Sequence, residues 1–110
     1  MDPSTVPAVR LLTRVFASVP VPLAFRLWDG TTARVGAHGE SPFTVVFRSR
    51  RAFRRLLRRP TPLRFGEAFI GEQIDIEGDV FAAMAAANPI EHLRLPLRTR
   101  LGVLAGLLRI

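Results

Sequence analysis

The sequence predicts a small α+β domain: an antiparallel sheet with helices packed over one face. Three short runs, residues 23–28, 31–35 and 43–48, alternate in polarity or are rich in β-branched and aromatic residues, as half-buried strands are. Stretches before and after them space their apolar residues at helical intervals. At 110 residues, 48% hydrophobic and 23% charged, the chain is long enough for one modest core and too apolar to be disordered.

The elements follow in order. Ala8, Leu11, Leu12, Val15, Phe16 and Val19 recur at i, i+3, i+4, i+7, i+8 and i+11, with Arg10, Arg14 and Ser18 on the other side. Ser4 or Thr5 is placed to cap this helix, Pro7 suits its first turn, and Pro20 and Pro22 end it. The stripe reads most simply as a helix on a sheet, with an amphipathic surface anchor as the alternative. In residues 23–28, Leu23, Phe25 and Leu27 oppose Ala24, Arg26 and Trp28, and Asp29-Gly30 marks the turn into 31–35, the start of a β meander. Residues 36–42 form a loop before the third strand, FTVVFR. Ser49 then caps an arginine-rich helix that Pro60 stops. Residues 65–72 are helical, 73–77 alternate as a strand, and Gly78-Asp79 breaks the chain and caps an alanine-rich helix over 80–87, ended by Asn88-Pro89. The order is α-β-β-β-α-α-β-α. The domain proper covers residues 1–96; the apolar, basic stretch 97–110 is a linker or C-terminal helix.

Charge restricts the partners. The net charge of +7 comes from sixteen arginines and no lysine. A GC-rich coding bias explains the missing lysine, but not why seven arginines and no acid fall within RSRRAFRRLLRRP, residues 48–60. A positive field of this kind attracts any polyanion. Phe53, Leu56 and Leu57 form one apolar stripe, surrounded by Arg51, Arg54, Arg55, Arg58 and Arg59. Nucleic-acid readers interleave basic residues with exposed aromatics or amides, and this helix has no Asn, Gln or Tyr. Two compatible readings stand: a helix packed on the sheet with a solvated basic face, and the same face laid on an anionic membrane. The longest uncharged runs, 15–25 and 80–90, are well short of the roughly 18–20 apolar residues of a spanning helix. Asp2, Arg10 and Arg14 argue against a secretory signal. The absence of cysteine fits a reducing cytoplasm and leaves neither disulfides nor thiolate metal sites.

Catalytic signatures are missing. The eight glycines form no dinucleotide fingerprint and no phosphate loop, and His38 and His92 have no paired-ligand spacing. The densest polar cluster is Glu67, Glu72, Asp75, Glu77 and Asp79. Asp79 reads as a helix cap and Asp75 and Glu77 as one exposed strand face, so a solvated surface is the plainest reading. A docking surface for a partner domain comes next, and carboxylate metal or acid/base chemistry last.

Residues 63–84, LRFGEAFIGEQIDIEGDVFAAM, resemble the signature near the end of the N-terminal domain of cyclopropane-fatty-acyl-phospholipid synthases and related mycolic-type lipid methyltransferases. There an apolar residue precedes G-E-A-Y, followed after a few residues by D-[IV]-E-G-D-L. Gly66, Glu67, Ala68, Asp75, Glu77, Gly78 and Asp79 match, while Phe69 replaces the usual tyrosine and Val80 the leucine. Upstream, LAFRLWDGT resembles the family's W-D-G turn and FTVVFRSRRAFRRLLRRPT its strand and basic helix. The resemblance implies a sterol-carrier-protein-like fold that engages phospholipid acyl chains. It also implies a separate, larger domain that binds S-adenosylmethionine and methylates the double bond.

No S-adenosylmethionine-binding glycine motif occurs in these 110 residues, so the family's catalytic residues have no positions here to receive them. The chain is expected to hold no catalytic residue, metal or cofactor of its own, and to act as a fragment or split subunit beside a catalytic methyltransferase domain. By the same resemblance Glu67, Asp75, Glu77 and Asp79 would face that domain. Arg51, Arg54, Arg55, Arg58 and Arg59 would meet phospholipid headgroups at the cytoplasmic face of the membrane, with no nucleic-acid partner. A stand-alone lipid carrier or membrane-surface adaptor is the alternative, and a small RNA-binding protein a weaker third.

Overall fold

The first helix, α1 (Thr5–Phe16), buries Ala8, Leu11, Leu12, Val15 and Phe16 along one side. Val19 is buried too, but lies beyond the helix, in a turn closed from its N–H to the Phe16 carbonyl at 3.1 Å. Pro20 is the cause, because the residue before a proline is driven out of the helical region. In this computed structural model, which describes residues 3–91, 97–108 and 110, the elements that follow are β1 (Pro22–Arg26), β2 (Thr32–Gly36), β3 (Phe43–Phe47), α2 (Arg50–Arg58), α3 (Pro62–Ile70), β4 (Ile74–Gly78), α4 (Val80–Glu91) and α5 (Leu97–Leu107).

The fold is α+β, with a four-stranded sheet in the order β2-β1-β3-β4. Two of its pairings are antiparallel, β1 with β2 and β3 with β4, but β1 and β3 run parallel, with Phe25 opposite Val45. The meander expected from sequence is corrected at this point. After the hairpin, the chain passes over the start of β1 and adds β3 on its far side. The Ala37 N–H donates to the Val21 carbonyl at 3.2 Å there, and a Cβ on Gly36 (φ +78°) would lie 2.4 Å from that oxygen. The arrangement puts the two most apolar strands in the centre. The strands carrying Thr32, Arg34, Asp75 and Glu77 are left at the edges, where charge discourages edge-to-edge pairing.

All the helices lie on the side of the sheet carrying Leu23, Phe25, Ala33, Val35, Val45 and Phe47. A run of rings ties the layers together: Phe16 to Phe25 at 5.2 Å, Phe25 to Phe47 at 5.8 Å, Phe47 to Phe53 at 5.0 Å and Phe53 to Trp28 at 5.5 Å between centroids. Such pairs add about 0.5–1.5 kcal/mol each beyond area burial. Strict alternation would send Trp28 to the outer face. Instead the strand ends at Arg26, and the turn, closed by Thr31 N–H to the Asp29 carboxylate at 2.9 Å, swings the indole back onto α2.

Capping sets the helix starts. The Ser49 hydroxyl accepts from Ala52 N–H at 3.1 Å, as expected, and Asp79 accepts from Ala82 N–H at 3.1 Å. Helix α3 begins three residues before its predicted start, because Thr61 caps it, accepting from Arg64 N–H at 3.3 Å, with Pro62 at the first position. It ends at Ile70, with Gly71 as its C-cap, and not at Glu72. Gln73 N–H reaches the Ala68 carbonyl and Glu72 N–H the Phe69 carbonyl, a Schellman closure that places Glu72 at φ +59°. Helix α4 runs through Asn88-Pro89, which was expected to end it. Proline removes one hydrogen bond, here in the last turn, and does not stop a helix that ends two residues later. The stretch 97–110, left open between linker and helix, contains α5, packed on α1 and α2.

Candidate functional site

The residues of the quoted signature segment, 63–84, fold as α3, β4 and the start of α4. Between them and the inner face of the sheet lies a cleft of ≈ 280 Å³. Its floor is made by Phe25, Phe43, Val45 and Ile76, one wall by Phe65 and Phe69 of α3, and the other by Ala83 and Met84 of α4. Every described lining residue is apolar, and among the described residues no side chain in the cleft offers a hydrogen bond or a charge. The reason is periodicity: β4 turns Ile74 and Ile76 inward and Asp75 and Glu77 outward, while the first two turns of α4 are VFAAMAAA, with nothing polar to present. The apolar side chains of this lining favour an apolar occupant over a polar one. The cleft sits just below the roughly 300–1,000 Å³ usual for ligand pockets, and suits a length of hydrocarbon. The same two helices expose Leu63, Ile70, Phe81 and Met84, each more than 60% accessible. That is more apolar side chain than a free surface ordinarily carries in one region.

A second concavity, ≈ 670 Å³, separates α2 from α5. Arg51, Arg54, Arg55 and Arg58 line it, facing Leu104 and Leu108. Ala52, Phe53, Leu56 and Leu57 hold α2 to the sheet, so the arginines are exposed by geometry. Arg59, grouped with these four on sequence, sits at the C-cap of α2 and does not line the groove. The helix also presents its positive residues around its own last carbonyls, and the Arg64 guanidinium donates to the Arg55 carbonyl at 3.1 Å.

The acidic residues do not form one centre. Asp75 and Glu77 lie on the open face of the sheet, where Glu77 is paired with Arg26 and Asp75 stands 3.7 Å from Arg48. Asp79 is engaged as the α4 cap, and Glu67 is exposed on α3. Among the described residues no group of three or more His, Cys, Asp or Glu side chains is placed to hold a metal. His92 lies outside the described residues. Among the described residues no helix is long and apolar enough to cross a membrane.

Sequence reasoning picked out the arginines but not the cleft, whose two walls, α3 and α4, stand far along the chain from the β1 residues of its floor. The leucines of α5 went unread as well, although their spacing was visible.

Fold and cavities together define a small α+β domain built around an apolar cleft. The chain belongs to the family described as a domain of unknown function, DUF7884, whose family model matches residues 10–91. The match takes in most of α1, the whole sheet and α2 to α4; α5 lies beyond it. No curated protein and no solved structure matches the chain.

Proposed function

We propose that this chain is a lipid-engaging domain of a cyclopropane-fatty-acyl-phospholipid-synthase-type methyltransferase, working at the membrane beside a catalytic domain that supplies S-adenosylmethionine. The observation that carries the reading is the cleft, whose described lining side chains are all apolar and whose walls are the signature segment itself. An alkyl chain gains there by leaving water, at about 0.8 kcal/mol for each methylene buried, and leaves no polar group of the protein unpaired. The exposed arginines of α2 supply the complementary attraction to phosphate, about 1 kcal/mol for each basic residue near an anionic surface. Glu67, Asp75, Glu77 and Asp79 are the acids the resemblance assigns to the partner domain. Glu67 and the Arg26–Glu77 and Arg48–Asp75 pairs are accessible to it, whereas Asp79 serves α4.

Cleft occupancy is tested by displacement of a fluorescent fatty acid and by native mass spectrometry with phosphatidylglycerol. Gly66 borders the cleft, and a Cβ there meets nothing within 4 Å, so the backbone has room for a side chain, and Gly66→Leu adds bulk at the cleft. Ala83→Leu adds it from the opposite wall. Both variants are expected to stay folded, Gly66→Leu with a slightly raised unfolding midpoint because a mid-helix glycine is removed, and to lose fatty-acid binding. Equal binding by wild type and both variants, or none by any, overturns the assignment. If uptake holds, adding a separate S-adenosylmethionine-dependent catalytic chain distinguishes the split enzyme from a stand-alone carrier, since only the former raises methylation of vesicle lipids.

A further inference from the structure

Helix α5 has two apolar sides. Val103 and Leu107 are buried against the rest of the domain, and Gly106 lets α5 approach α1 so closely that a Cβ there would stand 2.9 Å from Leu11 Cδ2. The other side carries Leu97, Leu101, Leu104 and, one residue past the helix, Leu108. Their spacing, i, i+4, i+7 and i+11, is that of a single helix face, and they are 67%, 57%, 47% and 81% exposed. A helix that is apolar on both sides requires a second apolar partner besides the core it packs on. Beside this comb lie Arg51, Arg54, Arg55 and Arg58 across the shared groove.

We infer that the α2–α5 face is a bilayer-docking surface, on which the α5 leucines enter the acyl region of an anionic membrane while the α2 arginines hold lipid phosphates at its rim. This rests on the lipid reading above and gives α5 a part in it. Charge selects the occupant. Neither Arg50–Arg58 nor Leu97–Leu107 contains an acid, so the charged side chains that these two helices bring to the face are all cationic donors. Phosphate oxygens are all acceptors, and the match needs nothing further. A protein partner would leave a rim that usually mixes donors with acceptors. A second copy docked through the same face would bring arginines against arginines, because a two-fold interface is self-complementary. The leucine comb extends over about 16 Å at 1.5 Å per residue, which suits a helix lying in the interface with its apolar side sunk about 5–10 Å.

The chain has no cysteine, so a single introduced thiol labels uniquely. In the full chain, Leu104→Cys carries an environment-sensitive dye, and Thr32→Cys, exposed on an edge strand, serves as control. With phosphatidylglycerol-rich vesicles the dye at 104 is expected to shift to the blue and to be quenched by lipids carrying a nitroxide on the acyl chain, while the dye at 32 does neither. Leu101→Gln, Leu104→Gln and Leu108→Gln combined alter only exposed side chains, and are expected to weaken vesicle affinity by roughly tenfold per leucine with unfolding unchanged. A dye at 104 that stays in water, or a triple variant that binds as wild type, overturns the inference. If an Arg51, Arg54, Arg55 and Arg58 to Gln variant still loses binding in that case, the arginine reading survives alone. No vesicle binding by any form removes both. A leucine-dependent dimer in solution would assign the comb to a second copy instead.

Discussion

Arg59 separates a reading based on sequence from one based on structure. In sequence it belongs with Arg51, Arg54, Arg55 and Arg58; in the fold those four line the α2–α5 groove and Arg59 stands at the C-cap, with backbone dihedrals that have already left the helix. Each basic residue close to an anionic surface contributes about 1 kcal/mol, and 1.4 kcal/mol is tenfold in affinity. Single Arg→Gln changes at 51, 54, 55 and 58 are therefore each expected to lower affinity for phosphatidylglycerol-rich vesicles about fivefold at low salt. The quadruple change should lower it by several hundredfold, and Arg59→Gln by less than twofold. The assay is vesicle flotation over a lipid titration, with phosphatidylcholine vesicles as the neutral reference and the series repeated at high salt, where screening reduces every difference. A uniform effect of all five changes, matched by Arg34→Gln on the edge strand β2, would mean that net charge alone governs binding, and would refute the oriented docking derived from the groove.

Other perturbations probe the frame that holds these surfaces. Phe53 is fully buried, with its ring against both Phe47 and Trp28, so Phe53→Ala should cost about 3–5 kcal/mol, seen as a lower urea midpoint. Glu72 closes α3 at φ +59°, a conformation that costs an L side chain about 1–2 kcal/mol; allowing for the extra unfolded-state freedom of glycine, Glu72→Gly should stabilise by about 0.5–1 kcal/mol and raise Tm by a few degrees. Gly78 has φ +96°, and a Cβ would meet the Pro42 carbonyl oxygen at 2.6 Å. Gly78→Ala should then destabilise by more than about 1 kcal/mol and loosen the Asp79 N–H to Pro42 carbonyl bond, read as faster amide exchange at Asp79. The Arg26–Glu77 pair is half exposed, so Glu77→Gln should shift stability by no more than about 1 kcal/mol.

Wherever one short segment holds all the information, the sequence by itself determined the outcome. The α1 stripe from Ala8 to Phe16, the Ser49 cap and buried Phe53, Leu56 and Leu57 of α2, the Asp29-Gly30 turn and the Asp79 cap are local patterns, and each stands where the residues place it. The α+β class follows from their order. Tertiary structure decided whatever depends on segments distant in the chain. β3 pairs in parallel with β1, because burying Phe25, Val45 and Phe47 together in the middle of the sheet outweighs the shorter connection of a meander. The separation of Arg59 from its four neighbours depends on where α5 comes to rest, and the cleft depends on α3 and α4 standing apart over β4. Helical and strand periods are written in consecutive residues, whereas a concavity is the space left between elements whose spacing is set by packing.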